Sequence, residues 1–222
     1  MSNFKRPSNR VKEELQKIPT ATLSDAVDAL GLKGFMTGIR PILEGVKIVG
    51  PAVTALFVEY IRREEFEYEY LMRFLRLIEE SRAGDVIVIG SDVRNIAVWG
   101  GLLSTASKVR RLEGAVMDGA TRDLAEIRGI SFPVFASSIN PSSTTGRLRP
   151  ISLNEPVMCG GVYVRPGDII IGDDDGVVVI PEAKVDDVLK IARKMEEDEK
   201  LMSEALKKGE SITETLKRIG RI

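Results

Sequence analysis

The chain has 222 residues, 43% of them hydrophobic and 29% charged, which suits one domain with a substantial buried core. Lys and Arg (32) nearly balance Asp and Glu (33), so no strong positive field is available for a nucleic-acid backbone, and we expect no direct nucleic-acid partner. The absence of histidine and the single cysteine, Cys159, exclude histidine acid–base catalysis, an internal disulfide and a multi-thiolate zinc site.

We expect no targeting or membrane signal at the beginning of this sequence. Residues 2–10 are polar, and no stretch reaches the about 18 apolar residues that a membrane span needs. The lone cysteine also suits a reducing compartment. We therefore expect a soluble, cytoplasmic protein with no membrane partner.

Two helices are predicted near the N-terminus. The first lies between Ser8 and Pro19, since the residue before a proline disfavours helical backbone. The second begins at Thr22, which has capping-box spacing to Asp25, and ends at Gly31.

The middle of the chain alternates apolar runs with helical segments, which is typical of βαβ units and a largely parallel sheet. Residues 45–57 predict a strand that Gly50-Pro51 interrupts as a bulge or edge. Short apolar runs flanked by turn residues predict strands buried on both faces. The remaining strands are predicted at 86–89, 115–117 and 134–136, and the helices at about 67–80, 97–112 and 123–128.

The C-terminal part follows a different pattern after a Ser-, Thr-, Pro- and Gly-rich loop over residues 137–150. Its short strands are separated by turn residues of tight hairpins, so this part is predicted to be antiparallel. The strands are expected at 157–164, with Gly160-Gly161 between its halves, at 169–171 and at 177–180. Amphipathic helices over 182–208 and 212–219 complete a single domain over 1–222.

The two-glycine turn Gly100-Gly101 stands before Leu102 and Leu103 at a predicted helix start. Glycines let the backbone approach a ligand, and free N–H groups at a helix start attract an anion such as a small carboxylate. The alternative is a tight turn that packs the helix against the sheet, which the two glycines alone favour.

A second candidate is Arg122-Asp123, which follows an apolar strand and a glycine turn. Ligands of open α/β sheets lie at the carboxyl ends of strands. Arg offers a fork for a carboxylate, and Asp is a hard oxygen ligand suited to Mg²⁺ or Mn²⁺. The alternative, in which Asp123 caps a helix and Arg122 is a surface residue, stands beside this interpretation.

Six motifs in order resemble the RraA-like family, which includes the 4-hydroxy-4-methyl-2-oxoglutarate aldolases and the regulator of ribonuclease activity A. The resemblance covers roughly residues 20–182. The motifs lie at residues 84–88, 99–106, 118–123, 132–136, 154–157 and 166–179.

The resemblance implies an α/β fold of the swivelling β/β/α type, with a parallel βαβ portion, an antiparallel C-terminal strand region and a long C-terminal helix. It implies a trimer or hexamer with sites between subunits. It also implies that Arg122 binds a 2-oxo acid, that Asp123 binds a divalent cation, and that the turn from Gly100 to Leu103 offers backbone N–H groups to the substrate. Many aldolases of the family carry an acidic residue at the position of Gly101, and here that side chain is missing.

Four other features are weaker candidates for a functional site. Residues 173–175 are expected to form a hairpin turn and residues 196–199 a solvated helix face. Lys108 would need burial to form a Schiff base, and Cys159 has no histidine partner.

The function expected from the sequence is that of a lyase dependent on Mg²⁺ or Mn²⁺, which cleaves a C–C bond of small 2-oxo acids to give pyruvate. The expected activity is that of a class II aldolase, with oxaloacetate decarboxylation as a second reaction of the same site. The alternative is a non-catalytic regulator that binds a ribonuclease or helicase.

Overall fold

The structure is a computed structural model that describes residues 4–60 and 68–219. Its helices are α1 (Asn9–Lys17), α2 (Thr20–Asp28), α3 (Tyr68–Glu80), α4 (Gly101–Val109), α5 (Leu124–Ile130), α6 (Val185–Lys207) and α7 (Ile212–Ile219). Its strands are β1 (Arg40–Pro41), β2 (Ile48–Glu59), β3 (Val86–Ser91), β4 (Ala97–Trp99), β5 (Gly114–Thr121), β6 (Val134–Ile139), β7 (Leu148–Leu153), β8 (Val157–Cys159), β9 (Val162–Val164), β10 (Ile169–Asp173) and β11 (Gly176–Ile180).

One mixed sheet organises the domain, with its strands in the order β1-β6-β5-β3-β2-β10-β11. The pairs β2–β3, β3–β5, β5–β6 and β4–β5 are parallel, whereas β2–β10, β10–β11, β2–β7 and β1–β6 are antiparallel. Strands β8 and β9 form a separate hairpin. The predicted α/β fold, with a parallel βαβ portion, antiparallel C-terminal strands and a long C-terminal helix, is confirmed.

The start of the second helix was predicted wrongly. Helix α2 begins at Thr20 and follows Pro19, and the predicted cap Thr22 is buried within the helix. The Thr20 N–H donates to the Asp173 carboxylate at 3.1 Å, so a hairpin 153 residues away supplies the acceptor at the helix start. The helix ends at Asp28, three residues before the predicted end at Gly31, which lies in the turn that follows, with a φ of 71° and its N–H donating to the Asp28 carbonyl.

Strand β2 is not interrupted at Gly50-Pro51, contrary to the prediction. It continues through both residues because β10 pairs with them on one side, while the parallel ladder to β3 starts only at Ala52. The missing N–H of Pro51 therefore costs no bond to β3. The irregularity lies instead between Leu56 and Phe57, where the register to β7 shifts.

Three short strands, β1, β4 and β7, were missed by the sequence patterns. Residues 97–99, assigned to the start of a helix, form β4, and helix α4 begins only at Gly101. The segment 137–150, expected to be a loop, contains the end of β6 and the first residues of β7. Short strands of two to six residues carry too little periodicity to be separated from neighbouring segments.

The remaining helices were predicted closely. The segment predicted over about 67–80 is α3 from Tyr68 onwards, and Glu67 lies outside the described residues. A 3₁₀ turn over Glu182–Lys184 leads into the long helix α6, and α7 follows as expected. Among the residues at 4–60 and 68–219, no helix is long and apolar enough to cross a membrane.

An apolar cluster supports the ends of β4 and β5. Trp99, Met117, Ile127 and Phe132 all belong to it and are at most 2% exposed. The Trp99 and Phe132 rings stack with centroids 6.3 Å apart. The close packing of this cluster therefore fixes the turns that follow β4 and β5.

Candidate functional site

The two candidate motifs lie beside one another, at the carboxyl ends of two paired parallel strands. Trp99 of β4 pairs with Thr121 of β5, and the Arg122 N–H donates to the Trp99 carbonyl at 3.1 Å. The turn at Gly100 and the turn at Arg122 therefore meet at one edge of the sheet, where open α/β folds place their ligands.

The Asp123 carboxylate joins these two turns. Its Oδ2 atom accepts a hydrogen bond from the Gly101 N–H at 3.0 Å. Asp123 adopts the left-handed conformation (φ 59°, ψ 42°) and makes no side-chain cap to its own helix, α5. Asp123 therefore does not cap α5 through its side chain. It accepts instead from the first N–H of the neighbouring helix α4.

Position 100 needs glycine because there is no room for a side chain. Its φ of −165° is extended backbone that any residue adopts. A Cβ at this position would lie 2.5 Å from Asp123 Oδ2 and 3.3 Å from Arg122 Cγ. A side chain at position 100 would therefore displace the Asp123 carboxylate from Gly101.

The Arg122 side chain is half-exposed to solvent. Its Nε atom lies 3.5 Å from Asp123 Oδ2, and its Nη1 atom donates to the Ser142 carbonyl at 3.4 Å. The side chain remains 41% exposed. These two contacts hold the guanidinium in place and leave part of its fork available for an incoming carboxylate.

The start of α4 provides further donors. The first turn of a helix leaves backbone N–H groups without intrahelical acceptors. The Asp123 carboxylate accepts a hydrogen bond from the Gly101 N–H. The N–H groups of Leu102 and Leu103 come next in the same turn of α4. Both side chains are apolar, so any contribution of Leu102 and Leu103 to an anion comes from the backbone.

A buried hydrogen-bond chain supports the turn before α4. The Ser104 hydroxyl accepts from Trp99 Nε1 at 2.8 Å and donates to the Gly100 carbonyl at 3.0 Å. Trp99 and Ser104 are both buried, so each polar atom needs this partner. The chain fixes the conformation of the two-glycine turn.

Hard-cation chemistry is compatible with the residues present. Within the described ranges 4–60 and 68–219, no group of three His, Cys, Asp or Glu side chains could enclose a metal ion. Asp123 is 37% exposed, and its Oδ1 atom makes no hydrogen bond to any described residue. Mg²⁺ and Mn²⁺ suit such a site, because Mg²⁺ typically keeps several waters and binds one or two carboxylates plus substrate oxygens.

The weaker candidates take structural roles. The Asp174-Asp175 turn joins β10 to β11, and the Asp173 carboxylate binds Thr20 and Lys47. Partial burial acts to raise the pKa of Asp173, but the hydrogen bonds from Thr20 and Lys47 outweigh it and leave this pKa lowered. Lys108 is exposed and donates to the Ser131 carbonyl, which removes the burial that a Schiff-base lysine needs.

Cys159 is unsuited to nucleophilic catalysis. It is fully buried in β8, and its thiol donates to the Ile89 carbonyl at 3.5 Å. Burial raises the pKa of the Cys159 thiol, and the nearby Asp118 carboxylate raises it further. The thiolate that nucleophilic chemistry needs is therefore strongly disfavoured.

The sequence patterns missed two groups beside the site. Ser142, in the loop after β6, supplies the carbonyl that holds Arg122. Glu126, in the first turn of α5, places its carboxylate against Gly101. The spacing of three residues between Asp123 and Glu126 was the available signal, since it is the spacing of an N-cap residue and an acidic residue in the first helical turn. Nothing in the sequence placed Ser142 there.

Comparisons with known proteins extend over most of the chain. Residues 20–179 match the family model RraA-like, described as Aldolase/RraA. A relative from Halalkalibacterium halodurans named "Putative 4-hydroxy-4-methyl-2-oxoglutarate aldolase" is 36% identical over 198 residues, which are 87% of each chain. Protein DlpA of Legionella pneumophila is 34% identical over 178 residues, which are 80% of this chain and 28% of DlpA.

A solved structure shares the fold. Streptomyces coelicolor RraAS2, described as an unusual member of the RNase ES inhibitor RraA protein family, superimposes with a TM-score of 0.77. It is 28% identical, and the match covers 89% of this chain and 97% of the Streptomyces chain.

Proposed function

The chain belongs to the RraA-like family, and on that premise we propose that it is a lyase that binds a small 2-oxo acid with a divalent cation and cleaves a C–C bond to release pyruvate. One observation carries the proposal. The Arg122 guanidinium, the Asp123 carboxylate and the N-terminus of α4 converge at the ends of two paired strands.

Arg122 binds the substrate carboxylate in this proposal. Its Nε and Nη1 atoms are already oriented by Asp123 and Ser142, so little side-chain entropy is lost when a carboxylate arrives. The N–H groups of Leu102 and Leu103 add donors and the positive end of the α4 dipole. Together these groups select a small anionic substrate.

Asp123 would hold the divalent cation, since only its Oδ2 atom is hydrogen-bonded to a described residue, Gly101. A cation bound there would supply positive charge near a keto oxygen on which negative charge develops. Aldol cleavage and oxaloacetate decarboxylation both develop that charge, so one site serves both reactions.

The test is an assay of the purified full chain for pyruvate release from 4-hydroxy-2-oxo acids and oxaloacetate, with Mg²⁺, with Mn²⁺ and with EDTA. We expect turnover that depends on the cation and is insensitive to borohydride, since exposed Lys108 forms no adduct. Full activity in EDTA, or a trapped lysine adduct, would contradict the proposed mechanism.

A second candidate function is that of a non-catalytic regulator of a ribonuclease or helicase. The likeness to the Streptomyces protein favours it, because that protein is described as a member of an RNase inhibitor family. It predicts inhibition of ribonuclease cleavage that is unchanged in EDTA and in Asp123→Asn. The absence of pyruvate release from every substrate of the panel, together with such inhibition, would favour the regulator.

We also propose a trimer or hexamer with the site at a subunit boundary. Leu102, beside the site, and Val109, seven residues further along α4, are large apolar side chains that are 85% and 75% exposed. Burial against a second copy would remove that surface from water. Light scattering at micromolar concentration tests this, and a monomer would refute it.

A further inference from the structure

The space beside Gly101 is filled from a neighbouring helix. A Cβ built on Gly101 would overlap Glu126 Oε2 and would lie 2.9 Å from its Cδ and 3.1 Å from its Cβ. Gly101 has no positive φ, so backbone conformation does not demand glycine here. The Glu126 side chain therefore occupies the volume that a side chain at position 101 would take.

The backbone directs Glu126 to this place. Asp123 precedes α5 in left-handed backbone, and Glu126 lies in the first turn of the same helix. Asp123 is bonded to the Gly101 N–H, and Glu126 lies on the Cα side of the same residue. Two carboxylates thus lie against Gly101, one at its N–H and one at its Cα.

Glu126 has no structural partner that would explain its position. Among the described residues it makes no hydrogen bond and no ion pair, and it is exposed to solvent. The dipole of α5 favours the Glu126 charge, because Glu126 lies in the first turn of that helix, but Glu126 has no cationic partner of its own among the described residues. Its acceptor atoms are available to water or to a ligand at the site.

We propose that Glu126 is the second carboxylate of the site, a positioning residue that accepts hydrogen bonds from water around a divalent cation held by Asp123. This inference rests on the proposed function and adds a specific residue to it. It assigns Gly101 the role of making room, so a carboxylate delivered from α5 replaces one delivered from α4. Outer carboxylates of this kind orient the ligands of a cation and raise its affinity.

The experiment titrates Mn²⁺ into the full chain by calorimetry, with excess pyruvate present. Water-proton relaxation of the bound Mn²⁺ provides a second readout that does not depend on turnover. Glu126→Gln keeps the shape and removes the charge, and we expect affinity to fall by about 10- to 100-fold. Asp186→Asn, an exposed acid in the first turn of α6, is the matched control and should bind like the unaltered protein.

A relocation variant makes the test specific. Glu126→Ala combined with Gly101→Asp moves the carboxylate from α5 to α4 and should recover most of the lost affinity. Gly101→Asp alone should not raise affinity, because Glu126 already fills the space. Circular dichroism shows whether each variant is folded, and Glu126→Gln remains decisive if the double variant is not.

Failure of the proposed role of Glu126 and failure of the proposed cation site give different results. If the unaltered chain binds Mn²⁺ and Asp123→Asn does not, but Glu126→Gln binds normally, the role of Glu126 is refuted while the proposed function stands. If the unaltered chain shows no saturable Mn²⁺ binding, the proposed cation site fails, and the role of Glu126 fails with it.

Discussion

Replacement of Asp123 by Asn separates catalysis from stability at this site. The side chain accepts one hydrogen bond, from the Gly101 N–H, and sits in the left-handed backbone region. Asn keeps an acceptor oxygen and tolerates that backbone conformation, so both of these roles survive, while the ion pair to Arg122 Nε at 3.5 Å is lost. What Asn loses is the negative charge that would hold a divalent cation.

The expected stability change is small. Loss of one charge near the α4 N-terminus costs about 0.3–1 kcal/mol, which corresponds to a decrease in Tm of about 1–4 °C for a chain of this length. Asp123→Ala is the contrasting variant. It loses the hydrogen bond, at about 1 kcal/mol, and puts alanine in left-handed backbone at a further cost of about 1–2 kcal/mol.

The expected activity change is large. Removal of an outer-shell partner of a metal typically costs about 10- to 100-fold, so removal of the ligand itself should reduce Mg²⁺-dependent pyruvate release by about 100-fold or more. The assays are turnover at saturating Mg²⁺ and thermal unfolding in EDTA. If Asn unfolds as readily as Ala, or keeps activity within about tenfold, Asp123 is a structural residue and the reasoning fails.

Three further predictions concern the surroundings of this residue. Gly100→Ala should lower activity by about tenfold or more with little loss of stability, because the added Cβ would lie 2.5 Å from Asp123 Oδ2 and would displace that carboxylate. Turnover measures the activity, and thermal unfolding measures the stability. Ser104→Ala should lower the free energy of unfolding in urea by about 1–3 kcal/mol, since Trp99 Nε1 loses its buried acceptor. Cys159 should resist iodoacetamide in the folded protein and react only after unfolding, because burial raises the pKa of its thiol; rapid labelling of the native chain would contradict its placement.

The order of elements was predictable because it is a local property of the chain. Apolar runs such as residues 86–89, between turn residues, identify buried strands wherever they later pair. The Asp174-Asp175 turn likewise combines turn residues with apolar flanks and forms the expected hairpin. Local patterns failed where a distant group intervened, as at Thr20, whose helix start depends on Asp173.

For the candidate site, the sequence by itself determined which chemical groups are present. An arginine fork, an adjacent carboxylate and a two-glycine turn are visible as residue types, and each motif follows an apolar segment. Only the tertiary structure decided how they combine. The pairing of β4 with β5 brings Asp123 to the Gly101 N–H, although 22 residues separate them, and α5 directs Glu126 into the space beside Gly101. The physical reason is that side-chain type is encoded at one position, whereas the position of one backbone turn against another depends on strand pairing and core packing far along the chain.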